Sequence, residues 1–221
     1  MLNGKVIQAP AGSKFFDCNT ALTPQTAHVF RANGYSGAIR YVGRHNTASF
    51  DISQREAEGI LEANLALALV QHVQKPGWMP SAQLGIDYGN YAAQSATAIG
   101  YPPGGTIWCD LEGIARGDHV VETIDFCNHW LDQVGHAGFT PGTYIGYEPG
   151  LNGVQFYSRT RFEHFWRAYN GDVVPTVRGF QVLQEPERVL AGIRFDPDTV
   201  QADKLGMLPL VLAPDGWTVP V

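Results

Sequence analysis

The sequence predicts a TIM-like β/α barrel with eight strands, its helices regular in the first half and reduced or missing between the last strands. Three observations carry that expectation. Short apolar runs alternate with helix-like stretches through the first half, the pattern of a parallel sheet covered by helices. Eight such runs can be counted, the number at which a parallel sheet closes into a barrel. The chain has 221 residues, the small end for this architecture, which fits the loss of late helices. A doubly wound open sheet is the runner-up, weakened because no Gly-x-Gly-x-x-Gly follows the first strand.

The first strand is read at residues 15–18, Phe-Phe-Asp-Cys. Thr23-Pro24 then supplies an N-cap and an N1 proline, and Asn33-Gly34 closes that helix. Residues 38–42 form the second strand. Ser53 opens the next helix, with Glu56 three residues on as a capping box and Ala57, Ile60 and Leu61 turned inward. Residues 65–70 are the third strand. An alanine-rich helix over 91–99 leads through Pro102-Pro103-Gly104-Gly105 into the fourth, 106–112. Asp118 is expected to cap a helix with Val121, Ile124, Leu131 and Val134 on one face and Gly135 at its end. Residues 143–147, 165–169, 179–184 and 193–196 complete the set, with links between the last three too short and too rich in Pro and Gly for full helices. Residues 1–221 are thus expected as one barrel domain, with 1–14 as an N-terminal extension and 205–221 as a C-terminal tail.

Composition excludes several classes. A formal charge of −6 argues against nucleic acid or an anionic membrane as partner, since both need clustered Lys and Arg. No apolar run approaches the ~20 residues of a membrane span, so membrane insertion is not expected. The first residues lack an apolar signal region, so synthesis in the cytoplasm without a cleaved leader is expected. Cys18, Cys109 and Cys127 are odd in number and lack zinc spacing, which predicts buried free thiols. Cys18 and Cys109 each neighbour a strand carboxylate, so alternation sends them to the opposite face. His45, His72, His129 and His136 form no ligand motif, and neither a metal nor a cofactor is expected. Gly-x-Ser-x-Gly is absent, and Gly104-Gly105 and the glycines of 150–153 read as turns.

The chemistry resides in the carboxylates. Asp110 and Glu112 lie two apart on the fourth strand and therefore project from one face at its end. Two acids converging on one cavity are the minimum equipment for glycosidic cleavage, one protonated and one ionised. Asp17 ends strand one, while Asp196 and Asp198 end strand eight, its neighbour in a closed barrel. The C-terminal strand ends form the active face of such barrels, where crowded acids raise one another's pKa. Tyr147, Trp166 and Tyr169, near the ends of strands five and six, offer flat faces to sugar rings. Arg40 could pair with the acids. Gln181 and Gln184 differ by three, so an ideal strand would present only one of them to the cavity.

Phe16-Asp17-Cys18-Asn19, Ile39-Arg40-Tyr41-Val42, Ala98-Ile99-Gly100-Tyr101-Pro102 leading into Ile107-Trp108-Cys109-Asp110, and Phe195-Asp196 together resemble bacterial glycoside-hydrolase-like domains related to Chalaropsis-type lysozymes of glycoside hydrolase family 25. The resemblance implies a barrel whose last three strands lack regular helices. It also implies cleavage of the β-1,4 bond between N-acetylmuramic acid and N-acetylglucosamine in peptidoglycan. By position, Glu112 would be the general acid, and Asp110 would stabilise the developing positive charge or the oxazolinium formed by the substrate's acetamido group. Asp17 and Asp196 would shape the field and orient sugar or water. Phe16 and Cys18 flank Asp17 where the lysozymes carry glycine and serine. The partner implied is peptidoglycan or a related glycan, reached by phage lysis or a dedicated secretion route. The alternative is a catalytically inactive barrel that binds glycan or a protein.

Overall fold

The structure is a computed structural model that describes residues 1–45, 48 and 50–220. Eight of its strands close a barrel. Seven run parallel: β2 (Lys14–Cys18), β3 (Gly37–Val42), β4 (Ala66–Gln71), β5 (Thr106–Leu111), β6 (Thr140–Ile145), β7 (His164–Arg167) and β8 (Val182–Gln184). The eighth, β10 (Ile193–Val200), closes the ring between β8 and β2 and is antiparallel to both. The mixed α/β barrel expected from the sequence is therefore present, and all eight predicted strands are found.

The direction of β10 corrects the simple parallel picture. A parallel return needs a crossover of about a dozen residues or more, and the link from Gln184 to Ile193 is shorter than that. It is spent instead on β9 (Arg188–Leu190), which turns back antiparallel onto β10. The last strand thus enters the barrel from the mouth, so Asp198 lies deeper than Asp196 rather than nearer the rim. Near the termini, β1 (Lys5–Gln8) pairs with β11 (Leu210–Ala213), and β11 meets β4 at Leu212 and Leu67. Ala9, Val211 and Ala213 pack among the lumen residues Phe15, Ala66 and Val200. The two end segments, read from sequence as an extension and a tail, together form a pair of strands against the sheet. Their period-two apolar pattern is too short to stand out in sequence.

Among the described residues five helices cover the barrel. In α1 (Pro24–Ala32) and α2 (Gln54–Glu62) the expected caps Thr23 and Ser53 accept from the backbone of Thr26 and Glu56. Glu56 does not complete a box. Its carboxylate instead accepts from the Leu22 amide at 2.8 Å and from Arg40 Nε at 2.7 Å. The alanine-rich α3 (Ala82–Ala98) begins nine positions before Tyr91, capped by Ser81, because small residues such as Gly85 and Gly89 hide its helical period. The cap expected at Asp118 is absent. α4 (Val120–His136) starts after His119 without a side-chain cap, runs through Gly135, and leaves Val121 61% exposed; its buried face is Ile124, Phe126, Cys127, Trp130 and Val134. A short α5 (Gly153–Ser158) lies where the sequence read only a turn, with Asn152 and Gln155 forming its capping box.

Two apolar layers result from strand alternation. Phe15, Ile39, Trp108, Trp166 and Val182 fill the lumen, while Phe16, Ala38, Ile107, Cys109 and Phe165 pack outward against the helices. All three cysteines are buried and free. The helices approach each other most closely at α3 and α4. A Cβ on Gly89 would lie 2.7 Å from the Trp130 carbonyl oxygen and 2.9 Å from Gln133 Cβ. α4 in turn packs against β6. Gly89→Val should therefore lower stability by about 1–3 kcal/mol in a denaturant titration, despite valine's better helix propensity.

Candidate active site

β5 positions the first pair of acids. Ile107, Cys109 and Leu111 pack under the helices, and Trp108 fills the lumen. The same parity sends Asp110 and Glu112 toward the barrel mouth. Glu112 lies across Gly146 at the end of β6, where a Cβ would collide with its carboxylate and come within 2.5 Å of its own Cβ. The indole of Trp78 donates to the Glu112 carbonyl at 2.8 Å and fixes the backbone there. Tyr144 is registered directly opposite Asp110 on β6.

A second group forms where β2 meets β10. Asp17 and Asp196 are register partners. Tyr41 donates its hydroxyl to Asp17 Oδ1 at 3.0 Å, and Gln184 Nε2 donates to Asp17 Oδ2 at 2.9 Å. The same amide nitrogen reaches Asp196 Oδ2 at 3.4 Å. Gln184 Oε1 in turn accepts from the Tyr144 hydroxyl at 3.0 Å and from the Tyr169 amide at 3.2 Å. One side-chain amide therefore ties Asp17 and Asp196 to Tyr144, which stands beside Asp110. Below them, Asp198 accepts from the Trp166 indole at 2.8 Å. Among the described residues, one buried oxygen of Asp198 and one of Asp110 have no hydrogen-bond partner.

These environments favour the protonated acids. Burial, reinforced by the charge of Asp196, pushes Asp17 up to about 7 against the opposing hydrogen bonds of Gln184 and Tyr41. Burial and then Glu187 raise Asp196 to about 6. Asp110 is held well above the usual carboxylate range by burial first, then by Glu112 and Asp17, with the Val73 backbone and Arg44 opposing. Burial raises Glu112 as well. Asp198 is raised strongly by burial and by Asp17. Tyr144, raised by burial and then by Asp110, Glu112, Asp17 and Asp198, stays a protonated donor.

The mouth thus brings Glu112, Asp110, Asp17, Asp196 and Asp198 around Tyr144. Tyr147 and Tyr169 stand on its rim, 46% and 53% exposed. Trp166 is not on the surface. Its ring is buried edge-on to Trp108 and Tyr144, so it braces the lumen and holds Asp198 rather than meeting a sugar. Arg40 is turned to the outer layer, wholly buried, where it binds Glu56 and the carbonyls of Cys18 and Phe50. It therefore cannot contact a ligand in the mouth. Its position follows from parity, because Ile39 and Tyr41 are the lumen residues of β3. Sequence reasoning missed Tyr41 and Tyr144 as site residues. The same period-two count, applied to β3 and β6, would have found them.

Beside Asp17 and Asp196 a cleft of about 560 Å³ opens, lined also by Asn19, Thr20, Tyr41, Phe50 and Glu187. It is of the size usual for small-ligand sites. Among the described residues no group of three His, Cys, Asp or Glu is arranged to hold a metal ion. No described helix is long and apolar enough to cross a membrane.

Known proteins share this architecture. The Tat-secreted protein Rv2525c of Mycobacterium tuberculosis, solved with L-tartrate, superposes with a TM-score of 0.68 at 18% identity, covering 89% of this chain and 98% of that one. The CTP1L endolysin gives 0.60 at 14% identity over 86% of this chain and 66% of that one. A muramidase from Acremonium alcalophilum gives 0.59 at 13% identity over 86% and 94%. At such identities these likenesses speak to the fold. No curated protein matches the sequence. The sequence model of one family does match, over residues 28–178, a span that holds the Asp110–Glu112 pair and the whole of β3 to β7 with α2 to α5. The chain belongs to the family of Rv2525c-like, glycoside hydrolase-like domains.

Proposed function

We propose that this protein is a glycoside hydrolase of muramidase type that cleaves β-1,4 bonds of peptidoglycan, with Glu112 as general acid. The observation that carries the reading is the pair on β5: two carboxylates on one strand face, both raised by burial, at the mouth of a barrel. The pair repels two charges and so holds a proton between its members. Glu112 is the less deeply set of the two and stands just past the end of β5, so it can pass that proton to a leaving glycosidic oxygen. Asp110, ionised once the proton has left, faces the oxocarbenium or oxazolinium charge from below. The Tyr144 hydroxyl, held by Gln184, stays a neutral donor beside them. Asp17 and Asp196 add negative field and orient the sugar in the adjoining cleft, with Asp198 supporting them from below. Tyr147 and Tyr169 supply exposed rings at the rim. A wall substrate requires that the protein leave the cytoplasm, by secretion or by lysis.

A second reading, a barrel that binds glycan without cleaving it, is favoured by one feature. Both oxygens of Asp17 are already engaged, by Tyr41 and Gln184, which is how a structural acid is held.

The two readings separate on one experiment. Incubation with purified peptidoglycan should release disaccharide-peptides ending in reducing N-acetylmuramic acid, detected by mass spectrometry. Glu112→Gln, isosteric and therefore folded, should lower that release by on the order of 10²–10⁴-fold. Absence of products from the wild type would leave the binding reading. The buried acids also set a pH dependence of stability. Asp17 takes up its proton near 7 when folded but near 3.8 when unfolded, so the native state binds more protons across that window. Stability should then fall as pH rises from about 4 to about 7. In thermal melts the wild type should unfold at a higher temperature at about pH 5 than at about pH 8, and Asp17→Asn should remove part of that difference.

A further inference from the structure

A second cleft, of about 270 Å³, lies on the other side of Phe50 from the first; Phe50 lines both. Its remaining wall includes Arg44, His45, Asp51, His72 and Lys75. The cleft is contiguous with the acids, because His72, Val73 and Gln74 line both it and the narrow cavity behind Asp110. Its charge is the reverse of the mouth's. Neither Arg44 nor Lys75 forms an ion pair among the described residues. Arg44 is steadied by donating to the Val73 carbonyl, which leaves the rest of its guanidinium fork for a ligand. The one carboxylate in the wall, Asp51, is engaged through Oδ2, while its buried Oδ1 has no hydrogen-bond partner among the described residues. The carboxylate accepts from the Ala48 amide at 2.6 Å and faces His72 Nε2 at 3.2 Å. His72, its pKa lowered by burial and flat against Tyr41 at 4.4 Å, forms a neutral floor.

We propose that this cleft is a subsite for a carboxylate-bearing substituent of the glycan, bound by Arg44 and Lys75 beside the reacting sugar. The inference rests on the hydrolase reading for the position of the scissile bond and adds to it the substrate's charge. Even with protons held on Asp17, Asp110 and Asp198, the mouth keeps negative charge at neutral pH, Asp196 being raised only to about 6, so an anionic chain entering it is repelled unless cations meet it. Among the described residues, Arg44 and Lys75, neither of them in an ion pair, line a cleft that shares His72, Val73 and Gln74 with the cavity behind Asp110. The volume is too small for a disaccharide but suits a carboxylate on a short linker, such as the lactyl-peptide arm of a muramic acid. A guanidinium fork recognises that group with two parallel hydrogen bonds, and an ammonium adds a point charge. A neutral β-1,4 glycan, such as an N-acetylglucosamine oligomer, would leave the cleft empty.

The test is calorimetric binding to the Glu112→Gln protein, which prevents turnover. Its ligands are an N-acetylglucosaminyl-N-acetylmuramyl-peptide with free carboxylates, the same molecule amidated, and a neutral N-acetylglucosamine oligomer. The charged ligand should bind at least about tenfold more tightly than its amidated form, and the gap should narrow with salt. Adding Arg44→Gln with Lys75→Gln should remove that gap while affinity for the neutral oligomer stays within about twofold. Lys75→Gln alone, on an exposed side chain without a hydrogen bond among the described residues, should remove part of it if the double variant fails to fold. Equal affinity for the charged and amidated ligands, or a preference that survives both substitutions, would overturn the proposal. Failure of the wild type to cleave peptidoglycan, with the preference intact, would sink the hydrolase reading and leave the subsite standing.

Discussion

Closure of the barrel is the constraint on which the rest depends. Once eight short strands are joined edge to edge, every second side chain must enter a lumen that admits little water. Near the N-terminal ends of the parallel strands that space is filled by Phe15, Trp108, Trp166 and Val200. Toward the mouth the same parity places carboxylates: Asp17 follows Phe15, and Asp110 and Glu112 follow Trp108. The acids cannot swing away, since their neighbours in sequence are anchored under the helices. Stability of the sheet therefore holds charge where charge is unfavourable, and raised pKa values are the consequence.

The polar network limits how unfavourable that is. Among the described residues Gln184 alone bonds both acids of the β2–β10 pair, and its carbonyl orients Tyr144 toward the other pair. An amide suits this role because it donates and accepts at once without adding charge. Trp166, a donor only, holds Asp198 from the lumen. Two buried carboxyl oxygens, one on Asp110 and one on Asp198, stay outside this network. Such unsatisfied groups are tolerated in natural folds chiefly where function uses them.

Much of this was legible in the sequence because it depends on local period. Eight strands, the shared face of Asp110 and Glu112, and the outward turn of Cys18 and Cys109 all follow from counting by two. What was not legible depends on register or on competition between partners. The antiparallel direction of β10 follows from a link too short for a crossover, a length that could have been read but was assigned only to a missing helix. Arg40 was placed near the acids by proximity in sequence, whereas parity and the buried Glu56 draw it outward. Trp166 was read as a face for a sugar ring because it lies near the end of its strand; its register with Tyr144 and Val182 keeps it in the lumen. Gln184 and Tyr144 meet only through the ring of strands, and no pattern along the chain announces a pairing across 40 positions.

The central claim is that the mouth keeps protons on carboxyl groups near neutral pH. It is tested most directly by ¹³C NMR titration of the side-chain carboxyls, with Asp17, Asp110 and Glu112 assigned by single Asn or Gln substitutions. The account predicts that Asp17 titrates near 7 and that the Asp110–Glu112 pair still holds a proton above the normal carboxylate range. Titration of all three groups below about 5, at ordinary carboxylate values, would contradict it.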